Sequence, residues 1–243
     1  MSSRIILRTE GLTKLFGGLR AVDGVDFSVE KGEVRGLIGP NGAGKTTLIN
    51  CVTGVLRPDK GKVFFDGRDI TGRPPHEIVR NGIARTWQIV RPFRGMTVVE
   101  AVATGAMARA GSVDEALRIA EEILHELGFG RDLMRRRGSE ITLMQHKIVD
   151  LARALATGPK LIFIDEIAAG LRPGEVEELA KLLRRVNEER GITMVVVEHL
   201  MTFIMRISDS ISVMHEGKLI AEGSPDEVSR NPRVIEAYLG IRL

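Results

Sequence analysis

The chain has 243 residues, of which 43% are hydrophobic, enough to bury a substantial core in one large domain or two small ones. A formal net charge of +3 with only 4% aromatic residues gives no indication of a nucleic-acid-binding protein. The longest apolar runs fall far short of the roughly 20 residues that a membrane-spanning helix needs, so we expect any membrane role to be peripheral. The single cysteine, Cys51, lies in an apolar stretch and is expected to be a buried structural thiol in a reducing compartment.

The first third of the chain is predicted to be rich in strands, and the middle to be helical. Four short β-rich stretches separated by turn residues are IILRTEGL, GVDFSVE, EVRGLIG and GKVFFDG. Further on, Thr97 with Glu100 and Ser112 with Glu115 each have the spacing of a helix-initiating capping box. After the second box, apolar residues fall on one helical face, so residues from about 93 to 157 are expected to form a helical insertion.

The last third alternates between strands and helices. KLIFID and ITMVVVE are nearly continuous apolar runs, typical of strands buried on both faces. The amphipathic segment between them is expected to end at Gly191. A strand, a helix and a second strand predict a parallel sheet, and the tail adds a hairpin, SISVMHEGKLIAEG, and two short helices.

A phosphate-binding loop is predicted between the strand EVRGLI and the helix that follows it. The sequence GPNGAGKTT has the P-loop spacing in the strand-to-helix context that this motif requires. Its backbone N–H groups are expected to bind phosphate oxygens, Lys45 to contact the β- and γ-phosphates, and the Thr46 hydroxyl to ligate Mg²⁺. The nucleotide-binding residues predicted here are Gly39, Pro40, Asn41, Gly42, Ala43, Gly44, Lys45, Thr46 and Thr47.

Acidic residues and a histidine follow the two buried strands. Asp165 and Glu166 end LIFIDE, which places Asp165 near the Mg²⁺ and Glu166 near an attacking water if this strand lies beside the P-loop. His199 follows the next strand at the carboxyl edge of the sheet, where α/β proteins bind their ligands. These residues predict a nucleotide-hydrolysing site.

With these motifs the chain resembles the ATP-binding-cassette nucleotide-binding subunits from about residue 5 to the C-terminus. The resemblance implies an α/β fold with a P-loop NTPase (RecA-like) parallel-sheet core, an N-terminal antiparallel β subdomain and an inserted helical subdomain. It assigns residues 1–92 and 158–243 to the ATP-binding core and 93–157 to the helical subdomain. It also implies that Phe16 stacks on adenine, that Gln88 contacts Mg²⁺ and senses the γ-phosphate, and that His199 contacts the γ-phosphate. The implied catalytic set is Lys45, Gln88, Glu166 and His199, and the implied metal set is Thr46, Gln88 and Asp165.

A closer resemblance is to the ATPase subunits of branched-chain amino acid importers, carried by GGLRAVDGVDF, GIARTWQIVRPFRGMTVVEAV, AAGLRP and NPRVIEAYLG. It implies ATP and Mg²⁺ as cofactors and a place on the cytoplasmic face of the cell membrane. It further implies a dimer with a second, different cassette, contact with transmembrane permease subunits and an indirect link to an extracytoplasmic solute-binding protein. Urea, short amides or lipids stay open as alternative solutes. Phe93 and Met96 are candidates for a groove that receives a cytoplasmic helix of the permease.

The chain departs from the family in the segment 141–145, ITLMQ, which we call the signature-like segment. The family has Leu-Ser-Gly-Gly-Gln there, and its glycines let backbone N–H groups approach the γ-phosphate bound to the opposite chain. Thr142 and Gln145 keep a hydroxyl and an amide, but Leu143 and Met144 replace both glycines. If these two positions needed positive φ, each would be strained by roughly 1 kcal/mol or more. We therefore expect a weak signature and hydrolysis that needs a partner cassette.

Two further positions also depart from the family pattern. Ile167 stands where the family usually has proline, and Arg172 where it has a short polar residue.

Three other functions are alternatives to a transport ATPase. A small-molecule kinase would use the same P-loop but would leave Gln88 and His199 without a role. A non-transport cassette usually has tandem cassettes or long coiled coils, and a non-hydrolysing assembly factor does not require Glu166.

Overall fold

The structure is a computed structural model that describes residues 4–86, 93 and 95–239. Over this part of the chain the strands are β1 (Ile5–Phe16), β2 (Leu19–Val25), β3 (Ser28–Glu30), β4 (Val34–Ile38), β5 (Lys60–Phe65), β6 (Arg68–Asp69), β7 (Ile83–Arg85), β8 (Leu161–Asp165), β9 (Thr193–Val197), β10 (Ser210–His215) and β11 (Lys218–Gly223). The α-helices are α1 (Lys45–Val52), α2 (Pro75–Arg80), α3 (Val98–Ala106), α4 (Val113–Glu126), α5 (Arg131–Met134), α6 (Leu143–Ala156), α7 (Pro173–Arg190), α8 (Met201–Ile207), α9 (Pro225–Ser229) and α10 (Pro232–Leu239). A 3₁₀ turn covers Gly138–Glu140.

Two sheets form the centre of the molecule. Among the described residues the larger sheet has the order β11-β10-β4-β9-β8-β7, in which β11 is antiparallel to β10 and the other neighbours are parallel. The second sheet has the order β2-β1-β5-β6 with β3 paired to β1, and its ladders are antiparallel. Every residue of β8 and β9 is buried, as their continuous apolarity predicts. The predicted α/β class, with a parallel core and an N-terminal antiparallel part, is confirmed.

The segment between β7 and β8 is helical in its described part, and helices α3, α4 and α6 pack on one another. Thr97 and Glu100 form the predicted capping box, with both reciprocal hydrogen bonds present. At α4 only half of the predicted box forms: Ser112 accepts from the backbone N–H of Glu115, whereas the Glu115 carboxylate accepts from Gly111. The assignment of residues 93–157 to a separate subdomain stays a prediction.

Among the described residues, packing of the helical segment against the larger sheet contributes to one hydrophobic cluster, and a second cluster lies between the sheets and includes α1. Cys51 belongs to that second cluster, where burial raises the pKa of its thiol to about 11. Helix α7 ends at Gly191 in the left-handed conformation, as predicted. Over the described residues, none of the helices combines the length and apolarity needed to cross a membrane.

Candidate functional site

The P-loop, residues 39–47, connects the buried strand β4 to helix α1 and is shaped by its glycines. Gly42 and Gly44 have φ of +79° and +102°, in the left-handed region that favours glycine. A Cβ on Gly44 would lie 2.2 Å from the Ala21 carbonyl oxygen, so no larger residue fits there. The turn therefore brings the backbone close to β2 and directs the first turn of α1 into an open cleft.

Lys45 is buried at the start of α1. Its ammonium group donates to the carbonyl oxygens of Gly39 at 2.7 Å and Pro40 at 3.0 Å. Burial lowers the pKa of Lys45, and the charges of Glu166 and Asp165 oppose that shift. The ammonium thus lies across the loop, under the electrostatic influence of two carboxylates.

The cleft at the P-loop has a volume of about 430 Å³. Phe16, at the end of β1, is 48% exposed and forms part of its wall, and the Lys14 ammonium lies 5.8 Å from the ring centroid. The lining residues are Phe16, Leu19, Ala21, Asn41, Gly42, Ala43, Gly44, Lys45, Thr46, Thr47, Glu166, Val197 and His199. The structure thus brings the predicted aromatic residue, the P-loop and two predicted catalytic side chains to one cleft.

Asp165 is held in place by Arg85, the last residue of strand β7, and by Thr86, the residue that follows it. Arg85 donates from Nη2 to Asp165 Oδ2 at 2.9 Å in a buried ion pair, and from Nη1 to Asn50 Oδ1 at 2.5 Å. The Asp165 backbone N–H donates to the Thr86 hydroxyl at 3.2 Å. Sequence reasoning missed Arg85. Its neighbourhood carried no predicted strand, and only the parallel pairing of β7 with β8 places it beside Asp165.

Glu166 and His199 meet at the edge of the sheet. His199 Nε2 lies 3.1 Å from Glu166 Oε1. Glu166 has φ of +46°, which is strained for a non-glycine residue and is the kind of outlier that clusters at functional sites. Its backbone N–H donates to Val197 O at 2.8 Å, which ties it to the end of β9.

The signature-like segment forms the start of helix α6, without a positive φ at Leu143 or Met144. Leu143 and Met144 are the first two residues of α6, and neither is among the described non-glycine residues with positive φ. The condition for strain at these two positions, a positive φ, is therefore not met, because both adopt helical geometry. Thr142 caps the helix: its Oγ1 accepts from Gln145 N at 3.3 Å, and Gln145 Oε1 accepts from Thr142 N at 2.9 Å. Neither Thr142 nor Gln145 is among the described residues that line the cleft of their own chain.

The remaining candidates lie at the junction with the helical segment. Gln88 lies outside the described residues. Phe93 lines a small cavity of about 20 Å³ beside α3 and α6, with the Arg153 guanidinium 5.3 Å from its ring centroid. Met96 is not among the described lining residues, and its backbone N–H donates to Phe93 O at 3.0 Å. His146 lines the same cavity, and burial lowers the pKa of its imidazole.

Comparison with known proteins agrees with this geometry. The family model described as ABC transporter matches residues 22–169, and that of the branched-chain amino acid ATP-binding cassette transporter matches residues 218–242. The high-affinity branched-chain amino acid transport ATP-binding protein BraF of Pseudomonas aeruginosa is 40% identical over 255 residues, covering 98% of this chain and 99% of that protein. The solved ADP conformation of an ATP-binding cassette of an ABC transporter is 37% identical, with a TM-score of 0.88 and coverage of 98% of this chain and 100% of the other. A dimeric bacterial ABC transporter cassette is 25% identical, with a TM-score of 0.80 over 90% of this chain and 99% of the other. The chain belongs to the ABC transporter family of ATP-binding cassettes.

Proposed function

We propose that this chain is the ATP-hydrolysing subunit of an importer of branched-chain amino acids. The observation that carries the proposal is the convergence of Lys45, Glu166 and His199 on one cleft, with Glu166 and His199 3.1 Å apart. Nucleotide hydrolysis uses an ammonium that contacts the phosphates and a carboxylate that polarises the attacking water. The cleft supplies both, with an imidazole beside the carboxylate.

The cleft suits a nucleoside triphosphate. The exposed ring of Phe16 supplies a face for the base, and the P-loop supplies N–H donors and the start of α1 for the phosphates. Thr46 and Asp165 offer the oxygen ligands that Mg²⁺ prefers, with Gln88 as a third candidate from the sequence. When bound, Mg²⁺ would neutralise charge on the phosphate oxygens. Arg85 engages one oxygen of Asp165, which orients the other.

Hydrolysis then depends on Glu166 and His199. The Glu166 carboxylate is placed to polarise a water for in-line attack on the γ-phosphate. The imidazole of His199, hydrogen-bonded to that carboxylate, positions it, and as part of the cleft lining it is the candidate contact for the γ-phosphate. Lys45 balances the charge that develops on the phosphate, and it does so more strongly because it is buried.

The partners and the solute follow from the relatives. BraF is named for branched-chain amino acid transport, and the match at residues 218–242 is to a model of that same group. We infer pairing with a second, different cassette because Leu143 and Met144 occupy the positions of the signature glycines. The exposed Phe93 side chain and the neighbouring Met96 are the candidate contacts for a permease helix, at the cytoplasmic face of the membrane.

The test is to trap the closed dimer. Glu166→Gln keeps the side-chain shape but removes the carboxylate, so we expect a stable ATP-bound dimer with the second cassette of the same transporter, measured by size-exclusion chromatography with light scattering. Glu189→Gln, an exposed position near the end of α7, serves as the control and should not trap a dimer. If Glu166→Gln forms no ATP-dependent dimer with itself or with the second cassette, the proposed mechanism is wrong.

Phosphate release and solute uptake test the activity itself. Wild-type chain with its partner should release inorganic phosphate from ATP without an added acceptor, whereas transfer to an acceptor would indicate a kinase. In proteoliposomes that contain the permease, the binding protein and both cassettes, leucine, isoleucine and valine should accumulate. Accumulation of urea or short amides, without the amino acids, would overturn the assignment of the solute.

A further inference from the structure

A buried carboxylate outside the proposed catalytic pair connects the two segments that carry that pair. Glu198 follows β9 and is only 3% exposed. Its Oε1 accepts from the Ala168 backbone N–H at 2.7 Å, and its Oε2 accepts from the His199 backbone N–H at 3.3 Å. One side chain therefore joins the loop that follows Glu166 to the residue that contacts Glu166.

A buried lysine reaches the same place from helix α6. Lys147 is 5% exposed, and its ammonium donates to the Glu166 carbonyl oxygen at 3.2 Å. Burial raises the pKa of Glu198, the hydrogen bonds from Ala168 and His199 oppose that shift, the Glu166 charge adds to it and the Lys147 charge opposes it. The Lys147 ammonium therefore acts electrostatically on the Glu198 carboxyl group.

These contacts can hold the backbone of Glu166 in its strained conformation. A residue in the left-handed region keeps that conformation only when its surroundings over-determine it. Here the N–H of Glu166 donates to Val197, its carbonyl oxygen accepts from Lys147, and Glu198 fixes the loop two residues later. A buried carboxylate is costly to desolvate, and an apolar side chain could fill the same space, so packing alone does not require Glu198.

We propose that Glu198 and Lys147 are positioning residues, which hold Glu166 and His199 in the geometry that hydrolysis needs. Lys147 lies in the second turn of α6, so the helix that begins with the signature-like segment is joined to the backbone of the proposed catalytic glutamate. The inference rests on the proposed ATPase function, but its test includes a measurement that does not require turnover.

The first experiment measures steady-state ATP hydrolysis by the chain with its partner cassette. Glu198→Gln keeps one acceptor but turns an amide toward the His199 N–H, and we expect kcat to fall about tenfold with KM for ATP unchanged. Because Glu198→Gln keeps the acceptor for Ala168 and disturbs only the contact with His199, adding it to His199→Ala should cost less than about twofold more. Additive losses in the double variant would overturn the proposal.

Asn187 provides a matched control. It is also buried and also joins two backbone segments, donating to Gly32 and Ile192 carbonyl oxygens at 2.8 Å each, but at the opposite end of β9. Asn187→Ala should lower the melting temperature and leave kcat of the folded protein unchanged. If Glu198→Gln behaved in the same way as Asn187→Ala, Glu198 would be a structural residue only.

The second experiment measures hydrogen exchange in the nucleotide-free chain. In Glu198→Ala the amides of Ala168 and His199 should exchange at least about tenfold faster, while the P-loop amides keep their rates. Lys147→Met should accelerate exchange around residues 166–168, and Lys147→Arg should restore it. If the wild-type pair failed to hydrolyse ATP, the proposed function would fail, and unchanged exchange in both variants would separately overturn the positioning role.

Discussion

Replacing Leu143 and Met144 by glycine tests whether these two side chains weaken the signature. Both residues lie at the start of α6, where the resemblance to the cassette family implies glycines. Leu143 is 47% exposed, and its Cδ2 would lie 3.2 Å from a Cβ built on Gly170, so it covers the loop that follows Glu166. A side chain in this position would stand between the helix start and a nucleotide held by a partner chain.

The expected changes in stability and in rate have opposite signs. Each glycine costs about 1 kcal/mol of helix stability relative to alanine, and the partly buried Met144 adds about 1 kcal/mol of lost packing, so the free energy of unfolding should fall by roughly 2 to 3 kcal/mol. One well-placed donor to a developing charge is worth about a hundred- to a thousandfold in rate. Recovery of even part of one such donor should raise turnover at least about tenfold.

The assay isolates the site that uses this signature. In a heterodimer, the signature-like segment of this chain faces the nucleotide bound by the partner. Glu166→Gln in this chain silences its own P-loop site and traps the ATP-bound dimer, so the rate of a single round of phosphate release at the partner's site reports on the segment. We expect phosphate release from that dimer to rise when Leu143→Gly and Met144→Gly are added. If release stays the same while thermal unfolding shows that the variant is folded, the impaired-signature hypothesis is wrong.

Three further predictions concern burial in the ATP-binding core and the helical segment. Arg85→Met leaves the buried Asp165 charge without its ion pair and should destabilise the chain by about 3 to 5 kcal/mol in urea titrations, with partial recovery on adding Asp165→Asn; a loss below about 1 kcal/mol would contradict this. Cys51, with a pKa of about 11 in a buried site, is about a thousandth thiolate at pH 8, so iodoacetamide should label it only after unfolding, and labelling of the native chain would refute its burial. Gly105→Ala would place a Cβ 2.1 Å from a backbone carbonyl of α6 and should cost about 1 to 3 kcal/mol by thermal denaturation, whereas Gly174→Ala, which meets open space, should not destabilise; equal effects would rule out the close helix contact.

The sequence predicted the parts of the site that depend on local pattern. The P-loop spacing, the buried strands β8 and β9 and the acidic residues at the end of LIFIDE are contiguous signals. The structure places the P-loop and Glu166 in one cleft and Asp165 at the end of buried β8, not among the described lining residues. The signature-like segment also carried a local signal that was overlooked: a threonine followed three residues later by a glutamine is a capping box, which predicts helical geometry at Leu143 and Met144.

The supporting residues could not be predicted because their contacts are long-range. Arg85 is 80 residues from Asp165, and Glu198 is 30 residues from Ala168, so only the order of the parallel strands brings each pair together. The positive φ of Glu166 has no signal in the sequence either, since glutamate does not favour that region. Its conformation is set by contacts from other segments.

The capping box at α6 indicates whether missing hydrogen-bond donors or side-chain bulk impairs the signature-like segment. In it, Thr142 Oγ1 and Gln145 Oε1 act as acceptors, so the hydroxyl hydrogen and the amide NH₂ keep their capacity to donate to a phosphate. The first N–H groups of any helix also lack intrahelical acceptors, which makes those of Leu143 and Met144 suitable donors. The segment therefore has donors, and side-chain bulk is the obstacle. It follows that Leu143→Ala with Met144→Ala, which keeps the helix, should recover most of the turnover gained by the glycine pair; a gain restricted to glycine would mean that a backbone conformation, and not bulk, limits this site.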